Sequence, residues 1–72
     1  MSIQVVVNGD PANVPDGSSV ADVVARCVPG GAAGGRGTAV ALSDVIVPAG
    51  RWATTPVAGG DRLEVVTAVA GG

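Results

Sequence analysis

Ile3-Gln4-Val5-Val6-Val7-Asn8-Gly9-Asp10-Pro11-Ala12-Asn13-Val14, followed shortly by Ser19-Val20-Ala21-Asp22-Val23-Val24-Ala25-Arg26-Cys27, is the stretch that decides the fold. The run 3–7 has strand character, with Ile3, Val5 and Val7 on one face. Asn-Gly between two such runs predicts a hairpin through a type I′ turn, where both central residues need positive φ. A short second strand is expected around 12–14, held between Pro11 and Pro15, because proline sits at strand ends or edges. Asp16-Gly17 then turns the chain. Ser19 is placed to cap a helix, with Asp22 three residues on as a carboxylate near the positive end of the helix dipole. Val20, Val23, Val24 and Cys27 fall at i, i+3, i+4 and i+7, one apolar stripe. Pro29-Gly30 should stop that helix.

Downstream, the spacing gives three further strands. Residues 38–42 form the third, with Val40 and Leu42 inward; Ser43-Asp44 turns into a short fourth at 45–47, ended by Pro48. Around Arg51-Trp52-Ala53 a single helical turn is expected, and Pro56 to Asp61 turns into a last strand at 62–67, with Leu63 and Val65 inward and Glu64 and Val66 outward. The order is strand, strand, helix, strand, short strand, strand. A helix crossover allows the first and last strands to pair in parallel. The expected class is therefore α+β: a mixed sheet of 4–5 strands with one main helix across one face, the β-grasp pattern of ubiquitin-like proteins. Residues 1–67 would form the domain and 68–72 a flexible tail.

Composition removes several kinds of chemistry. The chain of 72 residues has no histidine, no lysine, and four arginines: Arg26, Arg36, Arg51 and Arg62. Its single cysteine excludes an internal disulfide and leaves almost no soft metal ligands. A net charge of −2 and a pI near 4.5 argue against a nucleic-acid surface. No apolar run approaches the roughly 18 residues of a membrane span, and the first residues lack the basic start of a leader. A soluble, cytoplasmic chain that is not an enzyme by itself is expected. The core must be aliphatic, since Trp52 is the only aromatic. Trp52 suits a cover over the edge of that core; the other reading is an interface anchor. Cys27 suits a small core residue, and its place on the apolar stripe argues against a reactive thiol. The glycine-rich loop at 29–37 has the two-glycine spacing of a phosphate-binding loop at Gly30 and Gly35. However, it holds Arg36 and Gly37 where Lys and Ser or Thr are needed, and it runs from helix to strand rather than from strand to helix.

The end of the sequence, Thr67-Ala68-Val69-Ala70-Gly71-Gly72, is where chemistry is expected. A terminal carboxylate has a pKa of about 3.3–3.7, so at neutral pH that of Gly72 is an anion able to attack an activated phosphate. Glycine lacks Cβ and permits close approach by another protein. The few residues beyond the last strand reach roughly 13–14 Å when extended, enough to enter a partner's pocket.

The chain resembles the ThiS family, the sulfur carriers of thiamine thiazole biosynthesis. The likeness rests on the opening strand with Asn8-Gly9, the helix start Ser19-Val20-Ala21-Asp22-Val23-Val24, and Val40-Ala41-Leu42. It continues through Ile46-Val47-Pro48, Trp52, Gly60-Asp61 and Ala68-Val69-Ala70-Gly71-Gly72. Two positions depart from the family pattern: Ser43 stands where Asn is usual, and Ala49 where Arg follows the proline, with Arg51 two positions on. The loop before the third strand is also richer in glycine.

The resemblance implies that an E1-like adenylating enzyme of the ThiF type, using ATP and Mg²⁺, activates Gly72. A sulfur donor protein then leaves a thiocarboxylate there, and thiazole synthase of the ThiG type receives the sulfur. Val66, Thr67, Ala68, Val69, Ala70 and Gly71 would form the partner-binding tail, and the chain itself would bind no cofactor, metal, nucleic acid or membrane. Two alternatives stay open. One is a carrier of another pathway, such as the molybdopterin synthase small subunit or a carrier for cysteine synthesis; Thr67-Ala68 favours the thiamine type over the proline pair common in the molybdopterin case. The other is a ubiquitin-like protein modifier, which without lysine could not build lysine-linked chains on itself.

Overall fold

The computed structural model describes residues 1–27 and 37–67. The expected helix stop at Pro29-Gly30, the loop as far as Arg36 and the tail 68–72 lie outside them. The elements are β1 (Ser2–Val7), β2 (Asp10–Pro15), α1 (Val20–Cys27), β3 (Thr38–Leu42), β4 (Val45–Val47), a 3-10 helix (Ala49–Thr54) and β5 (Arg62–Thr67). The sheet order is β2-β1-β5-β3-β4, with β1 and β5 parallel and the other neighbours antiparallel. This mixed sheet with α1 across one face is the β-grasp fold.

The first hairpin closes as its sequence requires. Val7 pairs with Asp10, and the two turn residues have φ of 51° at Asn8 and 85° at Gly9. The second strand is longer than the prolines suggested: it runs from Asp10 to Pro15 and includes both. Its position explains this. β2 is an edge strand, and counting from the Val7–Asp10 pair puts Pro11 and Pro15 where backbone nitrogens point away from β1. Neither proline removes a ladder bond.

Helix α1 begins with a reciprocal cap. The Ser19 backbone N–H donates to Asp22 Oδ2 at 2.9 Å, and the Asp22 N–H donates to Ser19 Oγ at 3.2 Å. The Ser19 N–H, its hydroxyl and then Arg26 hold the Asp22 carboxyl below its ordinary value. Val20, Val23 and Val24 are buried beneath the helix, while Cys27 is half-buried at its end and packs against the same core. Val5, Val7, Val14, Val40, Val47, Leu63 and Val65 meet them from the sheet. Each fully buried aliphatic side chain stabilises the fold by about 1.5–3 kcal/mol. A core this thin depends on nearly every one.

Trp52 closes one end of this core. It is buried, and its indole N–H donates to the Val47 carbonyl at 2.9 Å, so the polar edge of the ring is satisfied. It is a core cover and not an exposed anchor. At the approach to β5, Asp61 Oδ2 accepts the Ala58 N–H at 2.7 Å, and Gly60 takes φ of 88°. That tight turn sets the chain into the centre of the sheet.

Candidate functional site

The site is the far half of β5, and its geometry follows from the sheet order. β5 is the central strand, so it is buried between neighbours at its start. Its two neighbours then behave differently. β3 accompanies β5 from Leu63, opposite Leu42, to Thr67, opposite Thr38. β1 pairs only with Arg62 and Leu63, because the chain turns away at Asn8. The last backbone bond on that side is the Asn8 N–H to the Leu63 carbonyl, at 2.9 Å.

Beyond it, the Asn8 side chain takes over. Its Oδ1 accepts the Val65 N–H at 2.8 Å and its Nδ2 donates to the Val65 carbonyl at 3.2 Å. In a continuing parallel strand the Asn8 carbonyl would accept that same N–H.

Alternation along β5 buries Leu63 and Val65 and leaves Glu64 and Val66 exposed. Val66 is 65% exposed and Ile46 67%. The register joins them across the face away from α1: Val66 lies opposite Ala39, and Ala41, two residues on, lies opposite Ile46. Val66, Ala39, Ala41 and Ile46 thus form an apolar strip across three strands. Arg62 and Glu64 stand on the same face, and Arg62 reaches Asp44 at 3.7 Å in an exposed ion pair.

Of the residues singled out in the sequence, Val66 lies on the outer face and Thr67 ends β5. Ala68, Val69, Ala70, Gly71 and Gly72 lie outside the described residues. Four contributors were not singled out: Asn8, Ala39, Ala41 and Ile46. Ala39 and Ala41 alternate with the inward Val40 and Leu42, but their alignment with Val66 and Ile46 needs the strand register. Asn8 was read only as a turn residue, because nothing local marks a contact 57 positions away. Among the described residues, no cluster of His, Cys, Asp and Glu could hold a metal, and no helix is long and apolar enough to cross a membrane.

A parallel β1–β5 pair that delivers a short exposed strand end to the rim of a β-grasp sheet defines a ubiquitin-like protein. Residues 4–72 match the ThiS family, and the chain belongs to it: it is one of the small sulfur carrier proteins of thiamine biosynthesis. Among solved structures, it is similar to the thiamine biosynthesis protein (ThiS) from Geobacter metallireducens, with a TM-score of 0.72 and 20% identity. That alignment covers 97% of this chain and 100% of the other. No curated protein matches the sequence.

Proposed function

We propose that this chain carries sulfur on the carboxyl group of Gly72 for assembly of the thiazole of thiamine. The observation that carries the reading is the family match over residues 4–72, which runs through Gly71-Gly72, a few positions after the central strand in sequence. Residues 1–67 act as the recognised body and 68–72 as the tail that enters partner enzymes.

The chemistry needs nothing from this chain but a carboxylate. A Gly72 oxygen attacks the α-phosphorus of ATP on an E1-like activating enzyme of the ThiF type, and pyrophosphate leaves. Magnesium and ATP belong to that enzyme. The terminal sulfur of a donor protein's persulfide then attacks the acyl carbon and AMP leaves. A thiol cleaves the resulting S–S bond, so that the sulfur stays on Gly72 as a thiocarboxylate. Thiazole synthase of the ThiG type receives it. The cytoplasm, where ATP and reduced thiols are both at hand, suits these steps.

The body supplies docking. The apolar strip of Val66, Ala39 and Ile46 reaches the last residues of β5, and residues 68–72 follow β5 in sequence, so a partner that takes them in would meet this strip. Single exposed apolar residues mean little, but a strip that reaches the end of β5 is a place to exclude water.

The test is ATP–pyrophosphate exchange with the activating enzyme, followed by mass spectrometry of the product. Wild-type protein should support exchange and, once a persulfide donor and a thiol are added, gain the mass of one sulfur in place of oxygen at Gly72. A form lengthened by one residue after Gly72 should support none. Exchange by the lengthened form, untrimmed, would reject the Gly72 assignment. An amide from Gly72 to a lysine of another protein would favour the modifier reading instead.

A further inference from the structure

We infer that Asn8 is a positioning residue for the reacting end of the chain: its side-chain amide continues the β1 edge and fixes the strand end from which the tail leaves. This inference rests on the sulfur-carrier reading. It adds a residue far from the tail in sequence, and one whose turn role alone does not require these contacts.

The argument begins with backbone accounting. β5 extends past the end of β1, so the Val65 N–H and carbonyl face a side where no strand backbone remains. Both groups are satisfied by one side chain, the carboxamide of Asn8, at 2.8 and 3.2 Å. A carboxamide carries one acceptor and one donor in the same plane, as a peptide group does. Asn8 therefore acts as a single extra peptide unit of β1.

The contact lies in the right place to matter. Val65 is buried and anchors the strand inward, while the next residue, Val66, belongs to the apolar strip. Without Asn8, β5 from Glu64 onward would be held by β3 alone. A strand end held on one side samples more orientations, and a partner must then order it on binding, which weakens affinity. The rate once bound should not change. This predicts an effect on KM and not on kcat.

The turn supplies a clean test. Asn8 has φ of 51°, a conformation glycine accepts readily, so Asn8→Gly keeps the turn and removes the carboxamide. Asn8→Asp keeps the acceptor for the Val65 N–H but loses the donor. Val57→Ala, in the core and away from β5's far end, serves as a control for general destabilisation.

Two quantities are measured on each protein: amide hydrogen exchange at Val65 relative to Val40, and KM and kcat for ATP–pyrophosphate exchange. Asn8→Gly should speed Val65 exchange about tenfold or more and raise KM about five- to tenfold, with kcat within about twofold of wild type. Asn8→Asp should fall between. Val57→Ala should lower the melting temperature without raising KM. Unchanged Val65 exchange in Asn8→Gly would overturn the contact. Faster exchange with unchanged KM, or an equal KM rise in Val57→Ala, would overturn the positioning role. If wild-type protein supports no pyrophosphate exchange, the carrier reading fails, and Asn8's role in it with it. The Val65 exchange rate would still show separately whether the contact exists.

Discussion

Among the described residues, two hairpin turns share a pair of positive φ angles and differ in their residues. Asn8-Gly9 takes φ of 51° and 85°; Ser43-Asp44 takes 46° and 71°. Both connect neighbouring strands with two residues, and both lie beside β5. The first is built from the two residue types that accept left-handed backbone most readily, and its side chain is bound to Val65. The second places two ordinary residues in that same region, where side chains are disfavoured by roughly 1–2 kcal/mol each. It touches only the start of β5, through the Ser43 N–H to the Arg62 carbonyl at 2.8 Å and the exposed Asp44–Arg62 pair. A turn can therefore be satisfied by its backbone alone or recruited to hold something else. In this molecule the recruited one holds the far end of β5.

The largest expected effect concerns that end directly. If function lies toward the first turn, Val66→Asp should weaken binding to the activating enzyme and to thiazole synthase. Desolvating an unpaired carboxylate costs at least about 1–3 kcal/mol, roughly five- to a hundredfold in affinity. Thermal stability should change little, because Val66 is on the outer face. Titration of both partners and a melting curve of the same protein decide it. Normal binding would remove the strip from the site and leave the two turns functionally equal.

Next comes the first turn itself. Gly9 has open space around it, so a larger side chain there meets no neighbour, and only the backbone conformation objects. A β-branched residue objects most. Gly9→Val should cost about 2 kcal/mol in urea unfolding. Distorting this turn should also pull the Asn8 amide from Val65. The loss should therefore be smaller when Gly9→Val is made in a protein already carrying Asn8→Gly. Equal losses in both backgrounds would show that the turn and the contact are independent.

The second turn should respond in the opposite direction. Replacing Ser43-Asp44 by Asn-Gly supplies the residues its backbone already favours, and should stabilise the protein by about 1 kcal/mol, or roughly 4–8 °C in melting temperature. The lost Asp44–Arg62 pair is exposed and contributes little. Partner binding should not change. No gain in stability would mean that Ser43 and Asp44 make compensating interactions in the folded state, and the contrast between the turns would be weaker than their φ values imply.

These contrasts also mark how far the sequence could be read. Strand and helix periods pointed to the right inward residues, since Val5, Val40, Leu63 and Val65 follow a period of two and Val20, Val23 and Val24 a spacing of three and four. The Asn-Gly turn was legible because its chemistry is local. The length of β2 was not, because whether Pro11 and Pro15 interrupt a strand depends on which way their nitrogens point, and that is set by β1. Ser43-Asp44 was legible as a turn but not as a strained one. For the site, period two placed Val66 outward, whereas its alignment with Ala39 and Ile46 and the Asn8 contact depend on sheet register, which no short window contains.

The smallest expected effect uses the same residue types as the second turn in a setting that suits them. Ser19 and Asp22 cap α1 reciprocally, whereas Ser43 and Asp44 are held in backbone they disfavour. The cap depresses the Asp22 pKa below its ordinary 3.8, chiefly through the Ser19 N–H. A depressed carboxylate contributes stability above its unfolded value, and that contribution is lost as pH falls through the folded value. The loss should therefore occur below about pH 4. Asp22→Asn separates charge from hydrogen bonding, because a carboxamide there still accepts the Ser19 N–H but cannot titrate. Wild type should melt slightly above Asp22→Asn at about pH 7, and the difference should close as the pH falls through the lowered pKa of the folded carboxyl. Asp22 is exposed and its charge is screened, so the difference should also shrink in high salt. A difference that persists unchanged at low pH would show that Asp22 acts through its shape alone. The helix start would then share the character of the first turn, where geometry and not charge does the holding.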